Sequence, residues 1–390
     1  ALVVEPARAD PGVDSRFDQF APLLGRVDGH GPQQRRDTGA ARTAARTPGP
    51  TAPPVAPAGI HQVDPFIGSI GAADELLVWS EDRGSGHELF AKRVRVNGIP
   101  VPSAESGDWP FTGATGSGAD AGKKGDQRSP YIANSVAVWS EKAPGAADYD
   151  IYAQRVFPNG RTRGVPTMVA GGPGNQLDPS LIATASGYLL VFGDDSADEG
   201  DVLALRLTQA LTVRGTAFGV AKGAGVSSDP IITLDLLDPR TDYLVLFTHV
   251  AEAATQKDIF GARLTESGLP RGPVFPVLND PAVDEYAPFL LATSFGIAGA
   301  DESNLLLFNR DDAATGPEVV LQRLRSNGAG VGAERIVGGG TGAQLEPTAS
   351  VQNDGQWIVA WQDDASGNAD IVSTKVRSNG IPLPTVRLLV

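Results

Sequence analysis

Short apolar segments recur along residues 61–390, and the second segment of each unit ends in an aromatic residue. A fixed period of self-similarity is the sequence signature of a repeat architecture. The unit occurs six times, with its aromatic residues 53 to 61 positions apart. These residues are Trp79, Trp139, Phe192, Phe247, Phe308 and Trp361.

Each unit continues in the same order after its aromatic residue. A polar loop leads to an acid followed by an aliphatic residue, and a basic residue stands five positions beyond the acid. Most units then turn at Asn-Gly or Ser-Gly, which supply the positive φ of tight hairpins. The basic residues are Arg93, Arg155, Arg206, Arg263, Arg323 and Lys375.

Every unit opens with a proline-led apolar segment and closes with a shorter, weaker one, so four strands per unit are predicted. The prolines are Pro65, Pro130, Pro179, Pro230, Pro288 and Pro347. Four antiparallel strands at this period are typical of a propeller blade, which packs both faces against neighbouring blades. The sequence therefore predicts an all-β, six-bladed β-propeller, with blades near 61–125, 126–174, 175–225, 226–283, 284–342 and 343–390.

Residues 1–60 lack strand alternation and are rich in Pro, Ala and Arg, which predicts an extended N-terminal arm. Its one sizeable apolar cluster is Phe17, Phe20, Leu23 and Leu24, a hypothetical docking site for the propeller itself or for a partner subunit. Each blade could consist of contiguous chain, unless the segment 2–4 adds a strand to a blade.

One unit carries the repeat most fully, from Trp139-Ser140-Glu141 through Asp150-Ile151-Tyr152-Ala153-Gln154-Arg155-Val156 to Asn159-Gly160. This unit resembles a repeat of exported bacterial propellers of the TolB-like, six-bladed type. The resemblance covers residues 61–390. Since such families include scaffolds, lectins and hydrolases, it implies a fold and leaves the activity open.

Charge and composition restrict the classes of partner and of site that the protein can have. A net charge of −14 argues against nucleic acid, whose backbone requires a Lys/Arg-rich surface. There is no cysteine, so disulfides and thiolate metal sites are excluded. No apolar run is long enough to span a bilayer. The chain opens at Ala1 without a leader, which favours a processed, exported protein at the cell surface, in the periplasm or outside the cell.

Three groups of polar residues are candidates for chemistry. The six repeated bases are expected to form structural ion pairs with acids such as Glu141, because a residue repeated in every blade is typical of structure. The acidic loop holding Asp194, Asp195, Asp198 and Asp201 could bind Ca²⁺, although a solvated turn explains it better and no cofactor is required. Gln62, Gln127, Gln176, Glu285 and Gln344 stand three residues before the leading prolines and are predicted to surround a channel mouth, either binding a ligand or bonding their own connections.

Signals for an enzyme are weak, and no catalytic residue can be nominated. The four histidines share no metal-binding spacing, and no nucleophile elbow or phosphate loop occurs. Our first hypothesis is a non-catalytic exported scaffold that binds protein partners or other subunits. The alternatives are a lectin-like propeller that binds a glycan or another small ligand, and a Ca²⁺-dependent hydrolase with a channel site at residues such as Asp64, Asp178 and Asp229.

Overall fold

The computed structural model describes residues 61–390, except for 70–73, 83, 85, 96–98, 102–108, 114–123, 197–199, 224, 236–242, 266, 292–302, 313–315, 326–329 and 353–354. The predicted arm and its cluster of Phe17, Phe20, Leu23 and Leu24 therefore lie outside the described residues. In the described part of the chain, no helix has the length and apolar character needed to cross a membrane.

The fold is all-β, with 24 strands in six antiparallel sheets of four consecutive strands each. The first three blades contain β1 His61–Ser69, β2 Asp74–Asp82, β3 His87–Arg95 and β4 Trp109–Pro110; β5 Asp126–Ala133, β6 Val136–Lys142, β7 Asp150–Val156 and β8 Thr162–Ala170; β9 Gln176–Thr184, β10 Gly187–Asp194, β11 Asp201–Thr208 and β12 Val213–Ala221.

The other three blades follow the same plan. They contain β13 Val226–Leu234, β14 Tyr243–Val250, β15 Lys257–Leu264 and β16 Phe275–Leu278; β17 Glu285–Leu291, β18 Ser303–Asp312, β19 Gly316–Arg325 and β20 Gly330–Gly338; β21 Gln344–Val351, β22 Trp357–Asp363, β23 Asp370–Val376 and β24 Pro382–Leu388. The predicted six-bladed propeller of four-stranded antiparallel blades is confirmed.

The repeated aromatic residues form the packing layer between blades. All six are at most 2% exposed, because the second strand of a blade is covered on both faces. Two of the indoles also satisfy their N–H groups locally: Trp79 Nε1 donates to Glu81 at 3.3 Å, and Trp139 Nε1 donates to Glu141 at 2.7 Å. The aromatic pattern that predicted the blades therefore corresponds to their buried contacts.

The ring is closed by contacts between the first blade and the sixth. The backbone N–H of Gln62 donates to the Ala369 carbonyl at 2.8 Å, and Lys92 Nζ donates to the Leu389 carbonyl at 3.1 Å. The buried Glu75 carboxyl accepts from Ser350 Oγ at 2.7 Å. Among the described residues, closure thus depends on packing and on individual hydrogen bonds and involves no strand exchange, since every sheet consists of consecutive strands.

Candidate functional site

A β-bulge interrupts the inner strand of every blade just before its leading proline. In all six blades the strand register shifts across this point. The residue before the proline has φ between 48° and 52° in each case, although none of the six is glycine. Bulges redirect side chains, and non-glycine residues with positive φ carry strain that is common at functional sites.

These six residues line the central channel. Four of them carry a carboxyl group and form what we call the carboxyl ring: Asp64, Asp178, Asp229 and Glu346. The remaining two positions are Ser129 and Ala287. Since blades follow one another around the axis, the ring members of the first and fourth blades face each other, as do those of the third and sixth.

Aromatic residues lie two positions farther along the inner strands and close the channel below the carboxyl ring. The rings of Phe66 and Tyr131 have centroids 4.4 Å apart, and those of Phe66 and Phe289 are 6.5 Å apart. The space above this floor has a volume of about 110 Å³. The arrangement is a cup, which opens on the face where the outer strand of one blade connects to the inner strand of the next.

Short polar side chains hold two ring carboxyls in place. Asp64 accepts from Ser80 Oγ and from the backbone N–H of Ser129, both at 3.1 Å. Asp229 accepts from Thr248 Oγ1 at 2.7 Å and from Ser228 Oγ at 3.1 Å. Ser80 and Thr248 directly follow the aromatic residues of their second strands, so the repeat itself places these donors beneath the channel wall.

The other two ring members have perturbed acidity. Burial raises the pKa of Asp178 to about 7, with a further contribution from the negative charge of Asp229, and the hydrogen bond from Ser129 Oγ at 2.7 Å opposes the rise. Burial inside the channel also raises the pKa of Glu346 well above its usual value, and the charges of Asp229 and Asp64 add to the effect. Desolvation and like charges both favour the neutral acid.

Glu346 differs from the other members of the carboxyl ring because no hydrogen bond holds its carboxyl group among the described residues. Its side chain is enclosed by the surrounding blades, which is the burial that raises its pKa, but it remains accessible from the channel lumen. Only its backbone N–H is fixed, through a bond of 3.1 Å to Asn309 Oδ1. The ring therefore combines a free carboxyl whose pKa is raised with the anchored carboxyl of Asp229, whose charge raises the pKa of two neighbours.

The residues predicted to surround the channel mouth lie elsewhere. Gln127, Gln176, Glu285 and Gln344 are buried, and Gln62 is partly buried. Gln176 and Gln344 donate to carbonyl groups of their own connections, and Gln127 donates to Glu141 at 2.9 Å. The bulge explains the difference, because it turns the residue two positions later toward the axis instead.

The predicted acidic metal loop is occupied by internal contacts. Asp194 accepts from Gln176 Nε2 at 3.2 Å, Asp195 accepts from Asn175 Nδ2 at 2.7 Å, and Asp201 lies 3.4 Å from Lys222 Nζ. Asp198 lies outside the described residues. Nowhere in the described ranges do three His, Asp or Glu side chains converge closely enough to hold a metal ion.

The repeated bases do not all have the predicted carboxylate partner. Arg263 pairs with Asp235 at 3.2 Å. Arg155 instead donates to the hydroxyl of Tyr188 at 3.2 Å, and Arg206 donates to the carbonyl of Ser267 at 2.6 Å. The expected ion pair is absent for these two arginines among the described residues. For Arg155, the expected partner Glu141 is already bonded to Gln127 and Trp139. Arg93, Arg323 and Lys375 occupy the same place in their own blades.

Comparisons with known proteins show similarity in fold. No protein-family model and no curated protein matches the chain. Among solved structures, the endo-arabinase of Bacteroides thetaiotaomicron VPI-5482 is 14% identical, with 66% of this chain and 93% of that chain covered and a TM-score of 0.42. A thermostable family-43 glycoside hydrolase is 9% identical, with coverage of 66% and 91% and a TM-score of 0.44. The Synechocystis apocarotenoid oxygenase is 12% identical, with coverage of 71% and 62% and a TM-score of 0.41.

These findings correct the hypothesis of a non-catalytic scaffold. The structures named above are enzymes, and a galactanase, an arabinofuranosidase and a sialidase also match; at this identity the likeness concerns the fold alone. The sequence-based hypothesis relied on the regularity of the six blades. The blades differ, however, in the residue that faces the channel. From the first blade to the sixth, the position before the leading proline is Asp, Ser, Asp, Asp, Ala and Glu. The cup thus brings together Glu346, which the sequence motifs did not indicate, with Asp64, Asp178 and Asp229, which were predicted only as a possible channel site.

Proposed function

We propose that the chain is a hydrolase of glycosidic bonds whose reaction takes place at the carboxyl ring. Glu346 is the general acid, and Asp229 supplies the negative charge that faces the sugar as positive charge develops on it. The observation that carries the proposal is the contrast between these two groups. One is a free carboxyl that faces the lumen, and the other is an anchored carboxyl in the same cup.

Glycoside hydrolysis requires this kind of pair. One carboxylic acid protonates the departing oxygen, and one carboxylate acts on the opposite side of a transition state that resembles an oxocarbenium ion. Environments that separate the pKa values of two carboxyl groups assign the two roles. Burial and the charge of Asp229 favour the protonated form of Glu346, as a general acid at neutral pH requires.

The size of the cup constrains how a substrate would bind. The volume of about 110 Å³ is well below the roughly 300 Å³ at which pockets for small organic ligands begin, so the cup does not enclose a sugar ring. The ring would lie across the mouth, with the glycosidic oxygen directed at the cup. Glu346 then gives its proton to this oxygen, the C–O bond breaks, and the leaving sugar departs as an alcohol. A water molecule adds to the anomeric carbon, and the proton that it loses restores the acid form of Glu346.

The experiment compares Glu346→Gln with the unchanged chain on two kinds of substrate, after a panel of aryl glycosides that includes an arabinofuranoside, a xyloside and a galactoside has identified a cleaved sugar. One substrate is the 4-nitrophenyl glycoside of that sugar, and the other is the corresponding unactivated oligosaccharide. Nitrophenolate is a good leaving group without protonation, whereas a sugar alkoxide requires a proton. We expect a loss of roughly 10²- to 10⁴-fold on the oligosaccharide and a much smaller loss on the aryl glycoside.

Glu252→Gln is the matched control, because it removes one exposed carboxylate outside the channel and should leave both rates unchanged. Absence of turnover on the whole panel between pH 4 and pH 8 would contradict the proposal. So would an equal loss on both substrates, because that result would remove Glu346 from the role of proton donor. Binding of a glycan at the cup without turnover would favour a lectin-like propeller.

A further inference from the structure

A second cavity lies between the third and fourth blades, on the face opposite the mouth of the cup. It has a volume of about 390 Å³. Its wall includes Ser186 in the β9–β10 turn, Arg206 near the end of β11, Arg214 near the start of β12, and Ser267 and Gly268 between β15 and β16. All these positions lie at the blade ends farthest from the connections that surround the carboxyl ring.

Two arginines lie side by side in the wall of this cavity. Arg206 and Arg214 are direct register partners in the antiparallel pair β11–β12. Like charges placed opposite each other on neighbouring strands destabilise a sheet. None of the residues that line the cavity is acidic, and neither arginine has an ion pair with a carboxylate in the described part of the chain. In a protein of net charge −14, this is a concentration of positive charge without an acidic partner among the described residues.

The contacts of Arg206 hold its guanidinium group in a fixed position. Its Nε donates to the Ser267 carbonyl at 2.6 Å, and its guanidinium carbon lies 4.8 Å from the centroid of the Phe218 ring. Its terminal amino groups have no other partner among the described residues. A guanidinium held in this way loses little side-chain entropy when it binds an oxyanion through these groups.

Tyr188 contributes a further donor. Its hydroxyl oxygen accepts a hydrogen bond from Arg155 Nη1 at 3.2 Å, so its own hydrogen remains available to donate. The hydroxyl groups of Thr184, Ser186 and Ser267 complete the polar lining. The pocket thus contains the fixed guanidinium of Arg206, the neighbouring guanidinium of Arg214 and several hydroxyl groups. These are the groups that recognise a carboxylate or phosphate on a hydroxylated molecule.

We propose that this cavity, which we call the arginine pocket, binds a small hydroxylated organic anion that carries a carboxylate or a phosphate group. The volume agrees with this size, since pockets for small organic ligands begin at about 300 Å³. The bidentate donors of the arginines bind the anionic group, and the hydroxyl groups contact the remainder of the ligand. The arginine pocket is distinct from the carboxyl ring, so this inference does not rest on the proposed hydrolase activity.

Calorimetric titration of the full chain at low salt tests the proposal. The probes are D-glucuronate for the carboxylate, glucose 6-phosphate for the phosphate, and neutral glucose as the uncharged control. We expect at least one of the two anions to bind, glucose to bind at least tenfold more weakly, and added salt to weaken the anion. Binding of only one anion supports the proposal and identifies the charged group.

The variants locate the site. Arg214 is exposed, so Arg214→Gln should fold normally and weaken anion binding at least tenfold, as expected for loss of a charge-assisted hydrogen bond. Tyr188→Phe, which changes no charge, should weaken binding to a smaller extent. Arg377→Gln is the matched control, because Arg377 is exposed at the same end of the sixth blade. Equal affinity for glucose and both anions, no binding of either anion, or full affinity in Arg214→Gln would overturn the inference.

Discussion

Glu285 stands where four of the other five blades have glutamine, and this substitution should make stability depend on pH. The side chain is 3% exposed, and its Oε2 accepts from the backbone N–H of Asp280 at 3.2 Å. Burial raises the pKa of Glu285 to about 7, and the nearby charges of Glu334, Asp280 and Asp258 contribute in the same direction. The buried carboxyl group is thus favoured in its neutral form, which resembles the amide of the other blades.

The sign of the effect follows from proton binding. An unfolded glutamate has a pKa near 4.5, so between this pH and about 7 the folded state holds a proton that the unfolded state has released. The free energy of unfolding therefore falls as the pH rises through this window. At 1.36 kcal/mol for each pKa unit, the penalty reaches about 3 kcal/mol above pH 7.

Glu285→Gln removes this titration while it preserves shape. We expect the variant and the unchanged chain to have similar stability at pH 4.5, and the variant to be more stable by about 2 to 3 kcal/mol at pH 8. Equilibrium urea unfolding at several pH values measures the difference, and the exposed control Glu252→Gln should show no pH-dependent gain. A difference between variant and parent that stays constant from pH 4.5 to pH 8 would refute the reasoning.

Two other predictions concern packing and the carboxyl ring. Trp139 is fully buried and bonds Glu141, so Trp139→Ala should lower the free energy of unfolding by about 3 to 5 kcal/mol, and a loss below about 1 kcal/mol in urea would contradict its place between blades. Ser129→Ala removes the hydrogen bond that opposes the raised pKa of Asp178, so the carboxyl of Asp178 should titrate above its present value of about 7. Carbon-detected NMR titration would show this shift, and an unchanged or lower midpoint would disprove the role of the serine.

The blades could be predicted because the residues that repeat along the sequence are the buried ones. Trp79 and its five equivalents are apolar in every unit, and the acid, base and turn residues recur at fixed distances from them. Burial on both faces of a blade requires the same residue types in every unit. The repeat can therefore be recognised in the sequence without any knowledge of the three-dimensional contacts. The number of blades and strands follows directly.

The candidate site was harder to predict because a bulge changes which residue faces the axis. Alternation along an inner strand does not reveal the register shift before each proline, so the sequence predicts a channel position for Gln176 and its equivalents rather than for the residue two positions later. For the same reason it indicates Asp64, Asp178 and Asp229 only as possible metal ligands and does not indicate Glu346. The signal was present, since the residue before each leading proline is an acid in four of six repeats.

The partners of the repeated bases depend on neighbouring blades, which the repeat cannot specify. Arg155 meets a tyrosine of the next blade, and Arg206 meets a turn of the next blade. The equivalent base in the fourth blade, Arg263, has the buried carboxylate of Asp235 beside it. Identical positions in the repeat thus have different chemistry. Arg206 and Arg155, which have no carboxylate partner among the described residues, lie at the arginine pocket and against its tyrosine, respectively.

The contacts between the first and sixth blades, which form the seam of the propeller ring, can form only late in folding. Glu75 meets Ser350 across a separation of 275 residues, so this seam can form only after the sixth blade has emerged from the ribosome. Contacts between distant parts of a chain form slowly because loop closure must come first. Until then the inner strands can spread apart, and Asp64 is not held near Glu346. Closing the ring brings four carboxyl groups together, so the last step of folding should be faster in mildly acidic conditions, which favour the neutral forms of Asp178 and Glu346, whose pKa values are raised in the closed ring.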